Sequence, residues 1–422
     1  MKTFKIVTLG CRTNQYESQA YRDQLLKMGW KEAENDQASL CIVNTCTVTD
    51  SADQSSRYQI KQLAKKNPEA KIFVTGCLAE RDSKNLKTLP QVEEVISNLK
   101  KETLLNIIFQ DETVPEFKIE RFEAHTRAFI KVQDGCNSFC SYCIIPYVRG
   151  RSRSKKIEEV VCEVEGLIQN GFKEIVLTGI NIGDFDGQVE EGKPPKRLSD
   201  LVKAIDQIPG LERLRISSID PDEVDEDLLE AIANGQKTCP SMHIVLQSGS
   251  NTVLKRMNRK YTKQQFFQAI ERLKKVRKEF TFTTDVIVGF PQESEEEFNE
   301  TVEVLKEVKF AKVHMFPYSV RPGTRAARMT GHLLPSLISE RKEKVLRLAE
   351  QMAYELRNEF IGKTMKVLLE STDENQEFIY GHTENFLQVK IPKQNHRQNE
   401  IVEVLLKENT PECLIGKVVS CC

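Results

Sequence analysis

The sequence predicts an α/β fold in three parts: an N-terminal parallel α/β domain over residues 1–115, a central partial (β/α)6 barrel over residues 126–335, and a small C-terminal antiparallel β-barrel over residues 359–422. Two observations predict it. Apolar, β-branched runs alternate with stretches of helical periodicity through most of the chain, which is typical of parallel sheets with helical crossovers. After Gly362 the pattern changes to short alternating runs typical of antiparallel strands.

The composition indicates a globular protein and excludes several classes. Of the 422 residues 39% are hydrophobic and 29% charged, and no apolar run is long enough to cross a membrane. Residues 1–7 have the pattern of a first strand and lack the apolar core of a signal peptide. We therefore expect a cytoplasmic protein with no membrane partner. A net charge of −1 excludes nucleic-acid binding by bulk charge, so an RNA partner would require a local basic patch.

Three cysteines occupy the same position in the N-terminal domain. Predicted strands cover residues 4–9, 40–44 and 71–75, and predicted helices cover 14–28 and 53–66. Each strand leads directly into a cysteine: Cys11, Cys46 or Cys77. Parallel strands end at one edge of a sheet, so we expect these thiols to converge and bind a metal cluster. The alternative is three strand-end cysteines that never meet.

The central region contains six β/α units after a polar linker at residues 111–126. The strands are expected at 128–132, 174–178, 213–217, 242–246, 282–288 and 312–316, and two of the helices at 262–278 and 294–306. Six units are two short of a closed eight-stranded barrel. An open barrel leaves a lateral mouth for a large substrate.

A second cysteine group, Cys136, Cys140 and Cys143, follows the first strand of this barrel with the spacing C-x3-C-x2-C. Three local thiolates on a [4Fe–4S] cluster leave one iron open to bind and activate a small molecule. The alternative is a zinc knuckle that takes a fourth ligand from elsewhere in the chain.

This spacing, with Tyr142 before the last cysteine, resembles the radical S-adenosylmethionine (SAM) superfamily, and residues 8–18 and 43–49 resemble its methylthiotransferase family. The resemblance implies that the open iron chelates SAM, which is cleaved to a 5′-deoxyadenosyl radical. It also implies an auxiliary [4Fe–4S] cluster on Cys11, Cys46 and Cys77 that carries the sulfur, to which a second SAM gives its methyl group. The cofactors are then two [4Fe–4S] clusters and SAM. The scheme requires no side-chain acid, base or nucleophile, and we nominate no catalytic residue.

Loops at the carboxyl ends of the barrel strands are the expected SAM contacts, because barrel chemistry collects there. The superfamily resemblance places the backbone at Tyr142 and the segment around Asp285 against the adenine. Each candidate could equally be an ordinary turn residue. The candidates are Tyr142, Gly179, Asn181, Ser217, Gln247, Ser248, Asp285 and Ile287.

Residues 9–18 and 129–136 look most like the bacterial branch that modifies threonylcarbamoyl-adenosine. This resemblance implies methylthiolation of C2 of that nucleoside at position 37 of tRNA, with tRNA and an external flavodoxin-like or ferredoxin-like electron donor as partners. The enzymatic alternatives are isopentenyl-adenosine in tRNA and an aspartate in a ribosomal protein. The motif of the latter has Pro-Lys where this chain has Arg12-Thr13. An alternative of another class is a non-catalytic iron–sulfur redox sensor that binds RNA.

The tail is predicted to be a helix at residues 336–361 followed by about five strands, among them 365–369, 378–381, 386–391 and 401–405. It resembles the TRAM domain, which binds tRNA. Seven Lys/Arg against nine Asp/Glu in residues 361–422 make it net acidic, however, so binding would need a local face, and a structural cap is the alternative. That face would comprise Lys363, Lys366, Lys390, Lys393 and Arg397.

Two further expectations concern the other cysteines and the strongest basic run. Cys41 and Cys162 lie in apolar runs and are expected in the core, Cys421 and Cys422 are expected to be exposed thiols, and Cys239 and Cys413 have no spacing that assigns them. The basic run at residues 146–156 could hold RNA phosphates or be a solvated approach to a helix.

Overall fold

The computed structural model describes residues 2–34, 37–122, 125–189, 192 and 194–419. Its N-terminal part is a five-stranded parallel sheet in the order β2-β1-β3-β4-β5. The strands are β1 (Thr3–Thr8), β2 (Lys31–Glu32), β3 (Leu40–Thr45), β4 (Lys71–Gly76) and β5 (Val92–Val95). The helices are α1 (Arg12–Lys27), α2 (Asp50–Lys66), α3 (Cys77–Arg81), α4 (Ser83–Lys87) and α5 (Leu104–Ile108).

Local chemistry accounts for the main elements of this sheet. All six residues of β3 are buried, as expected of an apolar central strand covered on both faces. Helix α2 begins where the Thr49 hydroxyl accepts a hydrogen bond from the Ala52 amide. Acidic residues in its first turn and basic residues in its last turn match the helix dipole. The predicted strands and helices of this part are therefore present, and β2 and β5 are additional.

The central part is an open barrel of parallel strands. Its strands are β6 (Arg127–Lys131), β9 (Glu174–Thr178), β10 (Arg213–Ile216), β11 (Ser218–Ile219), β12 (Ser241–Ile244), β13 (Thr281–Val288) and β14 (Lys312–Pro317), with a two-stranded ribbon of β7 (Gln133–Asp134) and β8 (Arg153–Ser154). Its helices are α6 (Ile145–Val148), α7 (Ile157–Gln169), α8 (Leu198–Asp206), α9 (Glu226–Asn234), α10 (Asn251–Arg256), α11 (Lys263–Val276) and α12 (Glu295–Val308).

The third barrel strand is split at Ser217. β10 pairs with β9, whereas β11 pairs with β12, so the third strand exchanges neighbours and the sheet curves there. Among the described residues, β6 and β14 form the two free edges, which confirms the open six-unit barrel. Helix α1 of the N-terminal part packs along the β6 edge.

Alternation along the strands separates the barrel core from its interior. On β13, Thr284, Val286 and Val288 are buried toward the helices, whereas the side chains between them are partly exposed. Helix α12 begins with a capping box of Ser294 and Glu297, and Val302 and Leu305 of that helix pack in the same core. The face turned away from this core lines the barrel interior, which we call the lumen.

The tail forms α13 (Pro335–Asn358) and a closed barrel in the order β15-β16-β17-β19-β18. Its strands are β15 (Thr364–Thr372), β16 (Phe378–Thr383), β17 (Gln388–Pro392), β18 (Ile401–Asn409) and β19 (Leu414–Val418). This confirms the five-stranded barrel. Arg213 and Arg215 fasten it to the amino ends of the central strands by donating to backbone carbonyls at Lys366, His382 and Thr383.

The segment expected to be a linker is packed against the fold where it is described. Residues 111–126 contain no helix or strand, and residues 123 and 124 lie outside the described residues. Ile119 and Phe122 are nevertheless buried in the central core, and the carbonyl of Pro115 accepts a 2.6 Å hydrogen bond from Gln24. None of the helices in the described ranges is both long and apolar enough to cross a membrane.

Candidate functional site

Cys11, Cys46 and Cys77 meet at one edge of the N-terminal sheet. Cys11 precedes α1, Cys46 follows β3 and Cys77 begins α3, and the strands before them are neighbours. A side chain at Gly10, whose φ is +97°, would lie 2.9 Å from the Cys46 sulfur. Burial, together with the charges of Cys77 and Cys11, raises the pKa of the Cys46 thiol to about 11. The three thiols are therefore close enough to interact, as the strand pattern predicts.

Asn14 holds the loops that carry two of these cysteines. Its Nδ2 donates to the carbonyl of Leu9 at 2.6 Å and to that of Thr45 at 3.1 Å. Leu9 lies two residues before Cys11, and Thr45 directly precedes Cys46. One buried amide thus fixes the spacing between both loops.

Cys136, Cys140 and Cys143 form a compact loop after β7. The Cys143 amide donates to the Cys140 carbonyl at 3.1 Å, and Arg259 Nη1 donates to the Cys140 sulfur at 3.0 Å. Burial raises the pKa of Cys143 to about 12, with Cys140 and Cys136 contributing. Gly135, with φ +75°, allows the loop to begin, since a Cβ there would lie 2.0 Å from the Arg151 carbonyl oxygen.

The two cysteine triads are neighbours in space. Ile144, which directly follows Cys143, and Val148 pack with Cys77 in one small apolar cluster. Beside that cluster, a cavity of about 200 Å³ lies between the two loops. Its walls include Val48 and Thr49, which follow Cys46, together with Tyr142, Cys143, Ile144, Ile145, Gln247, Ile287, Phe316, Pro317, Tyr318 and Ser319.

Three of the eight candidate SAM contacts line this cavity. Tyr142, Gln247 and Ile287 come from three different loops or strands. Gln247 has a φ of +61°, its amide donates to the Asp285 carbonyl at 2.8 Å, and its Oε1 is buried with no protein partner in the described structure. A buried acceptor without a partner is a place for a ligand donor.

Gly179, Asn181 and Ser217 lie at the carboxyl ends of β9 and β10, away from the lining of that cavity. A Cβ at Gly179 would lie 2.9 Å from Gln133 Oε1, so the glycine allows close packing. Asn181 Nδ2 donates to Glu223 at 2.8 Å. The Ser217 hydroxyl is buried without a protein partner in the part of the chain that the structure describes.

Ser248 and Asp285 face other groups. The Ser248 hydroxyl is buried and lies 3.3 Å from the Thr301 hydroxyl of α12, and a contact between Ser248 and SAM stays a prediction. The Asp285 carboxylate lies 3.4 Å from His243 Nε2 within the lumen.

The basic run at residues 146–156 is divided between surface and interior: Arg151 and Arg153 are exposed, whereas Arg149 lies inside the protein. Arg149 is fully buried: it donates to the Cys77 sulfur at 3.3 Å and to Asp134 at 2.8 Å, and it also contacts Asn14. Lys155 donates to Glu163 at 2.7 Å. The run therefore offers RNA fewer free cations than its sequence indicates.

Arg149 belongs to a buried charge network between the two domains, which the sequence did not reveal. Burial alone would raise the pKa of Glu17 by favouring the neutral carboxyl group. The nearby cations Lys101, Arg149 and Lys131 outweigh this effect and lower the pKa to about 2. Glu17 follows Cys11 on α1, and Asp134 precedes Cys136, so the network connects the segments that carry both triads.

Two other functional candidates were missed. Arg321, in the loop after β14, is buried and donates to the Thr47 carbonyl at 3.1 Å and to Asp53 at 2.9 Å, which fastens the barrel to the loop after Cys46. Glu223 lies beside Asn181, and burial, reinforced by Asp220, raises its pKa to about 8. Long-range ion pairing of this kind has no local sequence signal.

The burial of the remaining cysteines differs in part from the expectation. Cys41 is fully buried, as predicted, but Cys162 is exposed on α7, so its assignment to the core was wrong. Cys239 and Cys413 are buried. Cys421 and Cys422 lie outside the described residues.

The donor sets fit iron–sulfur clusters. Each triad supplies three sulfur atoms, the ligand type that binds such clusters. In each, one sulfur accepts a hydrogen bond from an arginine: Cys77 from the buried Arg149, and Cys140 from the partly buried Arg259. Positive charge beside thiolates offsets the negative charge of a ligated cluster. In the described ranges, no group of three or more His, Cys, Asp or Glu side chains is arranged to hold a single metal ion.

Two segments of the chain match known protein families. Residues 130–305 match the radical SAM superfamily, and residues 3–97 match a family described as uncharacterized protein family UPF0004. The chain is 46% identical over 422 residues to threonylcarbamoyladenosine tRNA methylthiotransferase MtaB of Chlamydia pneumoniae, covering 99% of this chain and 98% of the relative. It is 32% identical to a tRNA-2-methylthio-N(6)-dimethylallyladenosine synthase of Caldicellulosiruptor saccharolyticus, covering 99% and 93%.

The fold has a more distant match among solved structures. The radical SAM methyltransferase TsrM of Kitasatospora setae, with cobalamin and a [4Fe–4S] cluster bound, superposes with a TM-score of 0.52 at 14% identity, covering 77% of each chain. This likeness concerns the fold alone. Together with the nearly full-length relatives, it leads to one conclusion: the chain belongs to the radical SAM methylthiotransferase family, whose enzymes use SAM and [4Fe–4S] clusters.

Proposed function

We propose that this protein methylthiolates C2 of N6-threonylcarbamoyladenosine at position 37 of tRNA, using two SAM and two [4Fe–4S] clusters. One observation supports this above the others: the two cysteine triads, which come from different domains, are neighbours. Cys77 packs with Ile144, and a cavity of about 200 Å³ is lined by Cys143 and by Val48 and Thr49, which follow Cys46. Such an arrangement brings a radical source and a sulfur source to one substrate atom. The choice of nucleoside rests on the greater identity to the Chlamydia pneumoniae relative, 46% against 32%.

The two triads have different proposed roles. Cys136, Cys140 and Cys143 hold the cluster that binds SAM, and Cys11, Cys46 and Cys77 hold the auxiliary cluster. When bound, these groups supply the radical that removes the C2 hydrogen and the sulfur that replaces it. The three thiols of each triad leave one iron without a cysteine, which is the open position this chemistry requires.

The protein's own residues orient the cofactor and exclude water. Tyr142, Gln247 and Ile287 line the cavity beside Cys143 and are proposed to bind SAM there. Gln247 contributes an unpaired Oε1 acceptor. The remaining proposed contacts are Gly179, Asn181, Ser217, Ser248 and Asp285.

This function implies three domains. Residues 1–115 would hold the auxiliary cluster, residues 126–335 would carry out the radical chemistry, and residues 359–422 would bind RNA. The closed tail barrel has the architecture often used to bind oligonucleotides. A flavodoxin-like or ferredoxin-like protein is the proposed electron donor. With tRNA as the substrate, the cytoplasm is the proposed place of action.

The test is nucleoside mass spectrometry of tRNA from cells that lack this gene. The tRNA is incubated anaerobically with cluster-reconstituted protein, SAM and a reductant. We expect 2-methylthio-N6-threonylcarbamoyladenosine to form. If only the isopentenyl-adenosine product forms, the substrate assignment is wrong. If SAM is cleaved but no tRNA nucleoside changes, tRNA is not the substrate.

A further inference from the structure

Several arginine side chains lie in the lumen beside a few carboxylates. Strand register places Arg127 and Glu174 side by side, and Glu174 opposite Arg213. Glu174 also accepts a hydrogen bond from Arg215 at 2.5 Å. Further along β13 and β14, Asp285 and His314 are register partners. The lumen thus contains more guanidinium groups than carboxylates.

Most of these cations have protein partners. Arg127 lies 3.2 Å from Glu370 of the tail barrel. Arg213 donates to the carbonyls of Lys366 and His382 at 2.8 and 3.0 Å. Arg215 is paired with Glu174 and with tail-barrel carbonyls. Their charges are used to fasten the domains together.

Arg12 enters the lumen from the N-terminal domain and, unlike the three barrel arginines, is not used to fasten the domains together. It directly follows Cys11, and its guanidinium lies 5.2 Å from the centre of the Phe129 ring on β6. The residue as a whole is exposed, and within the described ranges no hydrogen bond or ion pair joins it to another side chain. Its charged end lies among protein charges: burial, Arg127 and Arg215 lower its pKa to about 10, and the Glu174 carboxylate opposes this shift.

The substrate of the proposed function carries a charge that complements this cation. N6-threonylcarbamoyladenosine ends in the carboxylate of its threonyl group, whereas an isopentenyl substituent is uncharged. Guanidinium and carboxylate match in geometry and charge, and such pairs are among the strongest hydrogen-bonded contacts in proteins. The aromatic face of Phe129 holds the guanidinium in place without neutralising it.

Resting on the proposed function, we infer that Arg12 binds the threonyl carboxylate of the substrate and so selects this nucleoside over adenosines with an uncharged N6 substituent. Arg12 is a specificity-determining residue in this account. SAM also carries a carboxylate, so a test must distinguish the two sources.

The experiment measures binding of two synthetic anticodon stem-loops to the anaerobically reconstituted full chain. One carries threonylcarbamoyl-adenosine and the other its neutral threonyl amide, and both are fluorescently labelled for anisotropy. Wild-type protein should bind the carboxylate form about 10- to 100-fold more tightly. Arg12→Gln should reduce that ratio to about 1, and Arg12→Lys should keep part of it. Arg197→Gln, which removes an exposed arginine on the outside of the barrel, should leave the ratio unchanged.

Two further measurements separate a specificity role from a structural one. The iron content per chain and the KM for SAM in substrate-free 5′-deoxyadenosine formation should be the same for Arg12→Gln and wild type. The inference is overturned if Arg12→Gln keeps the wild-type binding ratio, if wild type shows no preference, or if the KM for SAM rises instead. Failure of wild type to form the methylthio product, with the binding ratio intact, would count against the proposed function alone.

Discussion

Replacing Arg259 should lower the reduction potential of the cluster assigned to the barrel loop. Arg259 Nη1 donates to the Cys140 sulfur at 3.0 Å, and the same guanidinium is paired with Asp220. Adding an electron to a cluster is easier beside a positive charge and beside donors to its sulfurs. Arg259→Met removes both and leaves the Asp220 carboxylate uncompensated.

The expected shift follows from Coulomb's law. Taking roughly 6 Å between the guanidinium and cluster charges and an effective dielectric constant of about 20 gives about 2.8 kcal/mol. For a one-electron couple this corresponds to about 120 mV. Arg259→Lys keeps the positive charge and should shift the potential by less than about 40 mV.

The assay is a redox titration followed by electron paramagnetic resonance. It is done in a Cys46→Ala background, in which one ligand of the auxiliary cluster is absent and the signal comes from the barrel cluster. A midpoint potential of Arg259→Met within about 20 mV of the background protein would refute the assignment of Arg259 to the cluster environment. An equal shift for Arg259→Lys would show that charge is not the cause.

Three other predictions follow from particular contacts. Cys140→Ala should abolish both SAM cleavage and formation of the methylthio product. Cys46→Ala should still cleave some SAM, but it should form no methylthio product and lose about four irons per chain. Chromatography of the products and iron analysis measure these outcomes. Burial and Asp220 raise the folded-state pKa of Glu223 from 4.5 to about 8, so the folded protein holds a proton that the unfolded chain releases. The free energy of unfolding therefore falls between about pH 4.5 and 8. Glu223→Gln should be more stable than wild type by roughly 4 kcal/mol at pH 8, seen as a difference in Tm that vanishes near pH 4. A pH-independent difference in Tm would refute this. Arg321→Met breaks a buried ion pair with Asp53 and should lower the free energy of unfolding by about 3 kcal/mol. This is at the low end for the loss of a buried pair because Arg81 still pairs with Asp53 at 2.6 Å. Unchanged resistance to limited proteolysis would contradict this prediction.

Much of the fold could be predicted because it depends on local patterns. Each of the six barrel strands contains apolar or β-branched residues, and the three strand-end cysteines follow directly from the position that parallel strands share. The two edge strands β2 and β5 were missed because they are short and polar: β2 is Lys31-Glu32, and Glu93 and Glu94 form the middle of β5. Such segments pair only because a neighbouring strand is already in place.

The errors at the site have physical causes that act over long distances in the chain. Arg149 lies in a basic run that suggests exposure, yet it is buried because Glu17, 132 positions away, compensates its charge. Cys162 lies in an apolar run, but it is two residues from both Val160 and Val164, which are buried. At about 100° per residue, a side chain two positions away falls on the opposite face of the helix.

The central claim is that the two cysteine triads divide the reaction, one for radical formation and one for sulfur transfer. A single-turnover experiment with SAM and a stem-loop carrying threonylcarbamoyl-adenosine tests it most directly. Products are quantified together for wild type and Cys46→Ala. The account predicts one 5′-deoxyadenosine and one S-adenosylhomocysteine for each methylthio nucleoside in wild type, and 5′-deoxyadenosine without methylthio nucleoside in the variant. Methylthio product from Cys46→Ala at the wild-type rate would contradict it.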